Sequence, residues 1–165
     1  MSSVVGFYIG TVADATNVDS ARIHTVGKLG YDALGNVYVY LKGNTSIAAG
    51  KVVSYDPTTF AATILPTSGV ISKGLAVAVS AVNTTSLWGW FMVRGQANVA
   101  VDSAVKNGDF VIVPGTTAGQ LTRYANASPA FQSGAVYGIC PSADAASNLS
   151  LSWINYPYTT VVAAS

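Results

Sequence analysis

The sequence predicts an all-β protein built of two similar antiparallel, barrel-like units with an extended N-terminal arm. Three observations predict it. All seven acidic residues are Asp and none is Glu, while Val, Thr, Tyr, Gly and Asn are plentiful. These are strand and turn residues, so little or no helix is expected. Runs of β-branched and aromatic residues are punctuated by turn chemistry about every 8–12 residues, the rhythm of sandwiches and barrels. The pattern of the first half of the chain also recurs in the second.

In chain order, strands are expected at about 4–9, 21–27, 36–42, 51–55, 61–65, 74–80, 87–94, 97–101, 109–113, 120–124, 135–140 and 149–154. Each run is bounded by Gly, Pro, Asn or Asp. The connections carry Leu34-Gly35-Asn36, Asp56-Pro57, Asn107-Gly108-Asp109, Pro114-Gly115 and Ala118-Gly119. Trp88, Trp90 and Met92 fall on one face of their strand, and Leu87, Gly89, Phe91 and Val93 on the other, because side chains alternate with period 2. A strand apolar on both faces is buried on both sides, in a core or against a partner.

The repeat sets Val39-Tyr40-Leu41 through Gly50-Lys51-Val52-Val53 beside Ala97-Asn98-Val99 through Gly108-Asp109-Phe110-Val111, 58 residues on. The segment Gly74–Val79 matches Gly134–Ile139 at 60, and Leu87–Met92 matches Leu149–Ile154 at 62. The drift falls in loops, which tolerate insertions. This divides the chain into an arm with the first strands (1–35), unit one (36–94), unit two (95–155) and a tail (156–165).

Hydrophobic residues make up 50% and charged residues 9%, against about 25% charged in ordinary domains. So apolar a chain either spans a membrane or hides its surface in an assembly. Apolar stretches such as 74–82 end at Asn83-Thr84-Thr85, well short of the roughly 20 residues of a spanning helix. The aromatics lack the girdle spacing of a membrane barrel. No basic stretch leads into an apolar run at the start, so no secretion signal is expected. The net charge of +1 comes from scattered cations and gives no basic patch for nucleic acid.

Little in the sequence points to catalysis, and no enzyme activity, metal or cofactor is expected. The single histidine, His24, lies in the alternating run Ala21-Arg22-Ile23-His24-Thr25-Val26, and any Ser-His-Asp or Cys-His arrangement has to use it. The lone cysteine, Cys140, sits among apolar neighbours as an inert hydrophobe. Most Asp residues occupy turns, where the carboxylate bonds nearby backbone. Asp14, Asn17 and Asp19 offer oxygen ligands, at a spacing that matches no calcium loop. Trp88, Trp90, Trp153, Tyr156 and Tyr158, with Arg94 and Gln96, form the alternative of a sugar-stacking surface on a carbohydrate module or tail-fibre adhesin.

The stretch Gly50-Lys51-Val52-Val53-Ser54-Tyr55-Asp56, then Thr58–Leu65, Gly74–Val79 and Asn83-Thr84-Thr85-Ser86-Leu87 into Trp90-Phe91-Met92-Val93-Arg94-Gly95 resembles the head decoration proteins of lambda-like phages. The likeness spans residues 47–155, counting both copies, and rests on a layout of small and apolar residues. It implies a β-tulip-like or related barrel on the outer surface of a capsid. There the protein, made in the host cytoplasm, cements the shell by packing on the major capsid protein and on its own copies. The family's trimer is one expectation. The tandem units and the arm, both departures from the family, make a dimer the other.

The arm residues Val4, Val5, Phe7, Tyr8 and Ile9 read as a strand added to a neighbour or as an edge strand of their own domain. Together with Trp88, Trp90, Trp153, Tyr156 and Tyr158 they form the expected interface set.

Overall fold

The computed structural model describes residues 10–12, 14–67, 74–103, 105–109, 112–123, 136–142 and 148–159. Twelve strands occur among them and no helix. They are β1 (Gly10–Thr11), β2 (Val18–Asp19), β3 (Leu29–Tyr31), β4 (Val37–Lys42), β5 (Val52–Tyr55), β6 (Ala62–Ile64), β7 (Gly74–Ala78), β8 (Trp88–Ala100), β9 (Ile112–Pro114), β10 (Leu121–Arg123), β11 (Val136–Pro141) and β12 (Leu149–Thr159). They form one curled sheet, antiparallel except for the pairing of β1 with β3. The protein is therefore all-β, as its composition implies.

One chain of pairings occurs twice. In the first half β4 pairs the start of β8, β8 pairs β7, β7 pairs β5, and β5 pairs β6. In the second half the end of β8 pairs β12, β12 pairs β11, β11 pairs β9, and β9 pairs β10. Isolated parallel bridges, Lys42 to Ala61 and Val101 to Leu121, recur at matching places. Gly50 and Gly108 open matching strands with φ of 81° in both, a conformation glycine adopts without a Cβ clash.

The halves share a sheet and a core. One cluster joins Tyr40, Leu75, Trp90 and Met92 of the first to Val99, Val101, Leu121 and Ile154 of the second. A second cluster, including Val39, Leu41, Ile47, Ala76 and Phe91, fills the opposite face of the first half. Strand β8 is thus buried on both faces over Trp90–Val93, as its two-sided apolar pattern requires. Full burial of each Val, Leu, Ile or Phe contributes roughly 1.5–3 kcal/mol.

The expected strands at 87–94 and 97–101 are one strand. Gly95, with φ of +131°, carries the chain across the junction, and a Cβ there would overlap the Asn36 side chain. Residues 21–27 are not a strand, despite their alternation. Strands form beside them instead, β2 against β8 and β3 against β4. The N-terminal segment thereby extends the sheet beside the first half. There His24 packs its ring 5.1 Å from that of Tyr40 and 5.2 Å from that of Trp90.

Candidate interaction surface

Strand β12 faces the opposite way from what its side chains dictate for a lone molecule. Along Leu149-Ser150-Leu151-Ser152-Trp153-Ile154, the serines point inward and are 1% and 0% exposed. Leu149, Leu151 and Trp153 point outward and are 38%, 40% and 58% exposed. A slip of one residue would exchange the two faces. The register is fixed from both sides, since Ile154 pairs Gly95 of β8 and Ile139 of β11 and is itself buried. The buried hydroxyls stay satisfied locally: Ser152 donates to the Ser150 carbonyl at 3.2 Å and Ser150 to the Leu151 carbonyl at 3.2 Å.

The row continues past a double irregularity. Tyr156 has φ of 45° and Gly138, opposite on β11, has φ of 78°. The register of β11 against β12 shifts there, and a Cβ on Gly138 would lie 2.5 Å from the Asn155 carbonyl oxygen and 2.9 Å from Pro157 Cα. This bulge, in which Asn155, Tyr156 and Pro157 face the single residue Gly138, leaves Tyr156 and Tyr158 at 52% exposure each. Tyr158 stacks on Tyr137 with centroids 5.5 Å apart. The Tyr55 hydroxyl is raised above its ordinary range by burial first and by nearby Tyr156 second. Residues 156–158, expected in a tail, thus belong to the sheet.

The cross-strand neighbours of the outward row are Ala100, Asn98 and Gln96, opposite Leu149, Leu151 and Trp153, with Cys140 on the other side of Trp153. None is charged. Arg94, opposite Asn155, borders the row. Beside it a cleft of about 420 Å³ is lined by Leu34, Gly35, Asn36, Arg94, Gly95, Trp153, Ile154 and Asn155. Asn36 is held there by Asp32, whose carboxylate accepts from the Asn36 amide at 2.7 Å and the Tyr38 hydroxyl at 2.9 Å.

Of the residues singled out in the sequence, Trp153, Tyr156 and Tyr158 share this face. Trp88 is half-buried against the core. Trp90 does not belong to a surface: it is 5% exposed, shielded by His24 and by the backbone of Gly30, where a Cβ would come within 3.1 Å of the Trp90 ring. Val4, Val5, Phe7, Tyr8 and Ile9 lie outside the described residues. Arg94 and Gln96 do come together with Trp153, through the pairing of β8 with β12.

The residues considered for chemistry are occupied structurally. His24 packs against aromatic rings, and Cys140 is a free, half-buried thiol on β11. Asp14, Asn17 and Asp19 line one cleft of about 190 Å³. There Asp14 accepts from the Thr16 amide and hydroxyl, bonds that hold its carboxyl below the usual range, and Asp19 accepts from the Tyr40 hydroxyl. Among the described residues no three His, Cys, Asp or Glu side chains gather as a metal site, and no helix is long and apolar enough to cross a membrane.

Leu149 and Leu151 escaped the sequence reading. Their signal is the strict alternation of Leu, Leu and Trp with Ser, Ser and Ile. It fixes two faces but not which one the core takes. Compared with known proteins, the chain matches no family model and no curated protein.

Proposed function

We propose that this protein is a non-enzymatic assembly subunit, a cement protein on the outside of a phage head that packs against capsid subunits and its own copies. The observation that carries the reading is β12, which buries Ser150 and Ser152 while holding Leu149, Leu151 and Trp153 in solvent. Exposed large apolar groups in a continuous row mark interaction sites. Low charge lets such a face pack without stranding ions. The resemblance of residues 47–155 to lambda-type decoration proteins supplies the capsid as partner. The test is co-sedimentation with expanded, undecorated capsids. Binding that is lost on Trp153→Ser supports the reading, and protein left wholly in the supernatant refutes it.

One observation favours a second reading, an adhesin or carbohydrate module. The cleft beside Trp153 sets a flat indole next to the Arg94 guanidinium and the Asn36 and Asn155 amides. A glycan array separates the two: selective binding abolished by Trp153→Ala and by Arg94→Ala favours the sugar site.

A further inference from the structure

The two halves treat the same face differently. Three cross-strand pairs of the first half, Lys42 with Trp88, Tyr40 with Trp90 and Tyr38 with Met92, correspond to Ala100 with Leu149, Asn98 with Leu151 and Gln96 with Trp153 in the second. The cross-strand registers set β4 against β8 at a constant 58 residues and β8 against β12 at 61, one residue short of the 62 at which the two sequences match, so the strand pairing and not the sequence match decides which faces correspond. In the first half this face is covered. Tyr38, Tyr40, Trp90 and Met92 pack in one core cluster with Val99, Val101, Leu121 and Ile154 of the second half, and Val12 and the His24 ring join them from the N-terminal segment. In the second half the corresponding face is the exposed row of β12.

We infer that a second copy of this chain roofs it, with the β12 faces of two copies stacked about a two-fold axis. This rests on the assembly reading and names the surface used between copies. Three features favour a copy over a foreign partner. The row and its cross-strand neighbours carry no charge, so the face meets its own image without like-charge repulsion, as an isologous contact requires. Leu149, Leu151, Trp153, Tyr156 and Tyr158 together expose on the order of 500 Å². Two copies would then bury about 1,000 Å², the lower bound for a specific interface. Trp153 is also the third of these five exposed residues along the strand. An antiparallel partner therefore places Trp153 against the Trp153 of the other copy. The contact is two-fold, which makes the unit of assembly a dimer and not a trimer.

Sedimentation velocity of the protein alone tests this. The wild type should run at twice the 16.9 kDa chain mass at about 100 µM. Trp153→Lys and Trp153→Asp, both at a solvent-exposed position, should each run as monomers with unchanged circular dichroism. Mixed in equal amounts, they should pair again, because opposite charges then meet across the axis. A monomeric wild type, charged variants that still pair with themselves, or a mixture that stays monomeric overturns the inference. A monomer that binds capsids would leave the capsid reading standing, and a dimer that ignores capsids would do the reverse.

Discussion

Ser152 and Trp153 are adjacent in β12, and the smaller, polar one is fully buried while the larger, apolar one is 58% exposed. Hydrophobic burial alone would set them the other way round. The strand holds this setting because Ile154 and the pairings to β8 and β11 fix its register. The free subunit leaves that apolar surface unused, and an assembled one can bury it.

Replacing Trp153 should therefore leave the fold intact. In dilute protein, Trp153→Ser should change unfolding free energy by no more than about 0.5 kcal/mol, as surface substitutions do. Phe91, on the doubly buried part of β8 and 0% exposed, provides the contrast. Phe91→Ala should cost about 3–5 kcal/mol. Urea denaturation of the two variants side by side checks both values.

Gly95 links the halves. Its φ of +131° and the Asn36 side chain lying where a Cβ would go make Gly95→Ala costly, by about 2–4 kcal/mol. Gly35 has φ of +80° with nothing near its missing Cβ, so Gly35→Ala should cost only about 1 kcal/mol. Thermal melts of both should rank them in that order.

The Ser80 hydroxyl is buried with no hydrogen-bond partner among the described residues. Such a group costs about 1–3 kcal/mol of desolvation. Ser80→Ala should raise stability by about 1 kcal/mol, read as a higher urea midpoint at unchanged slope.

Stability should fall at alkaline pH. Tyr38 and Tyr40 have their ionisation pushed well above the ordinary value of 10.0, by burial first and then by the hydrogen bonds to Asp32 and Asp19. A raised folded pKa gives stability that is complete below pH 10 and is lost as pH rises beyond it, because the unfolded tyrosine ionises and the folded one does not. The double variant Tyr38→Phe, Tyr40→Phe should flatten that decline. At the acid end burial raises the Asp32 pKa, but bonds from Asn36, Tyr38 and Leu34 outweigh it and leave the carboxyl below 3.8. Its contribution is present above that value and fades as pH falls below it, so Asp32→Asn should reduce acid sensitivity. Denaturation midpoints across pH check both ends.

Much of the sheet was legible in the sequence. The runs at 36–42, 51–55, 61–65 and 74–80 form β4 to β7 within a residue or two, because β-branched residues between turn residues leave few alternatives. The run at 21–27 reads as a strand because Ala21, Ile23 and Thr25 alternate with Arg22 and His24. Tertiary context overrides that pattern: His24 packs on Tyr40 and Trp90 instead. Strand β12 runs on past the expected end at 154 to Thr159, through a bulge at Tyr156. The interaction surface was half legible. Trp153, Tyr156 and Tyr158 stood out as large aromatics, but Trp90 has the same chemistry and lies inside. Alternation sorts residues between faces, and only the neighbouring strands decide which face is covered.

Carbene footprinting of the protein bound to expanded capsids, compared with dilute free protein, reads the state of the β12 row itself. Leu149, Leu151, Trp153, Tyr156 and Tyr158 should label strongly in the free protein and all five should be protected on the particle, with Leu34, 87% exposed, labelled in both. Equal labelling of the β12 row in the two states would contradict its burial in the assembly.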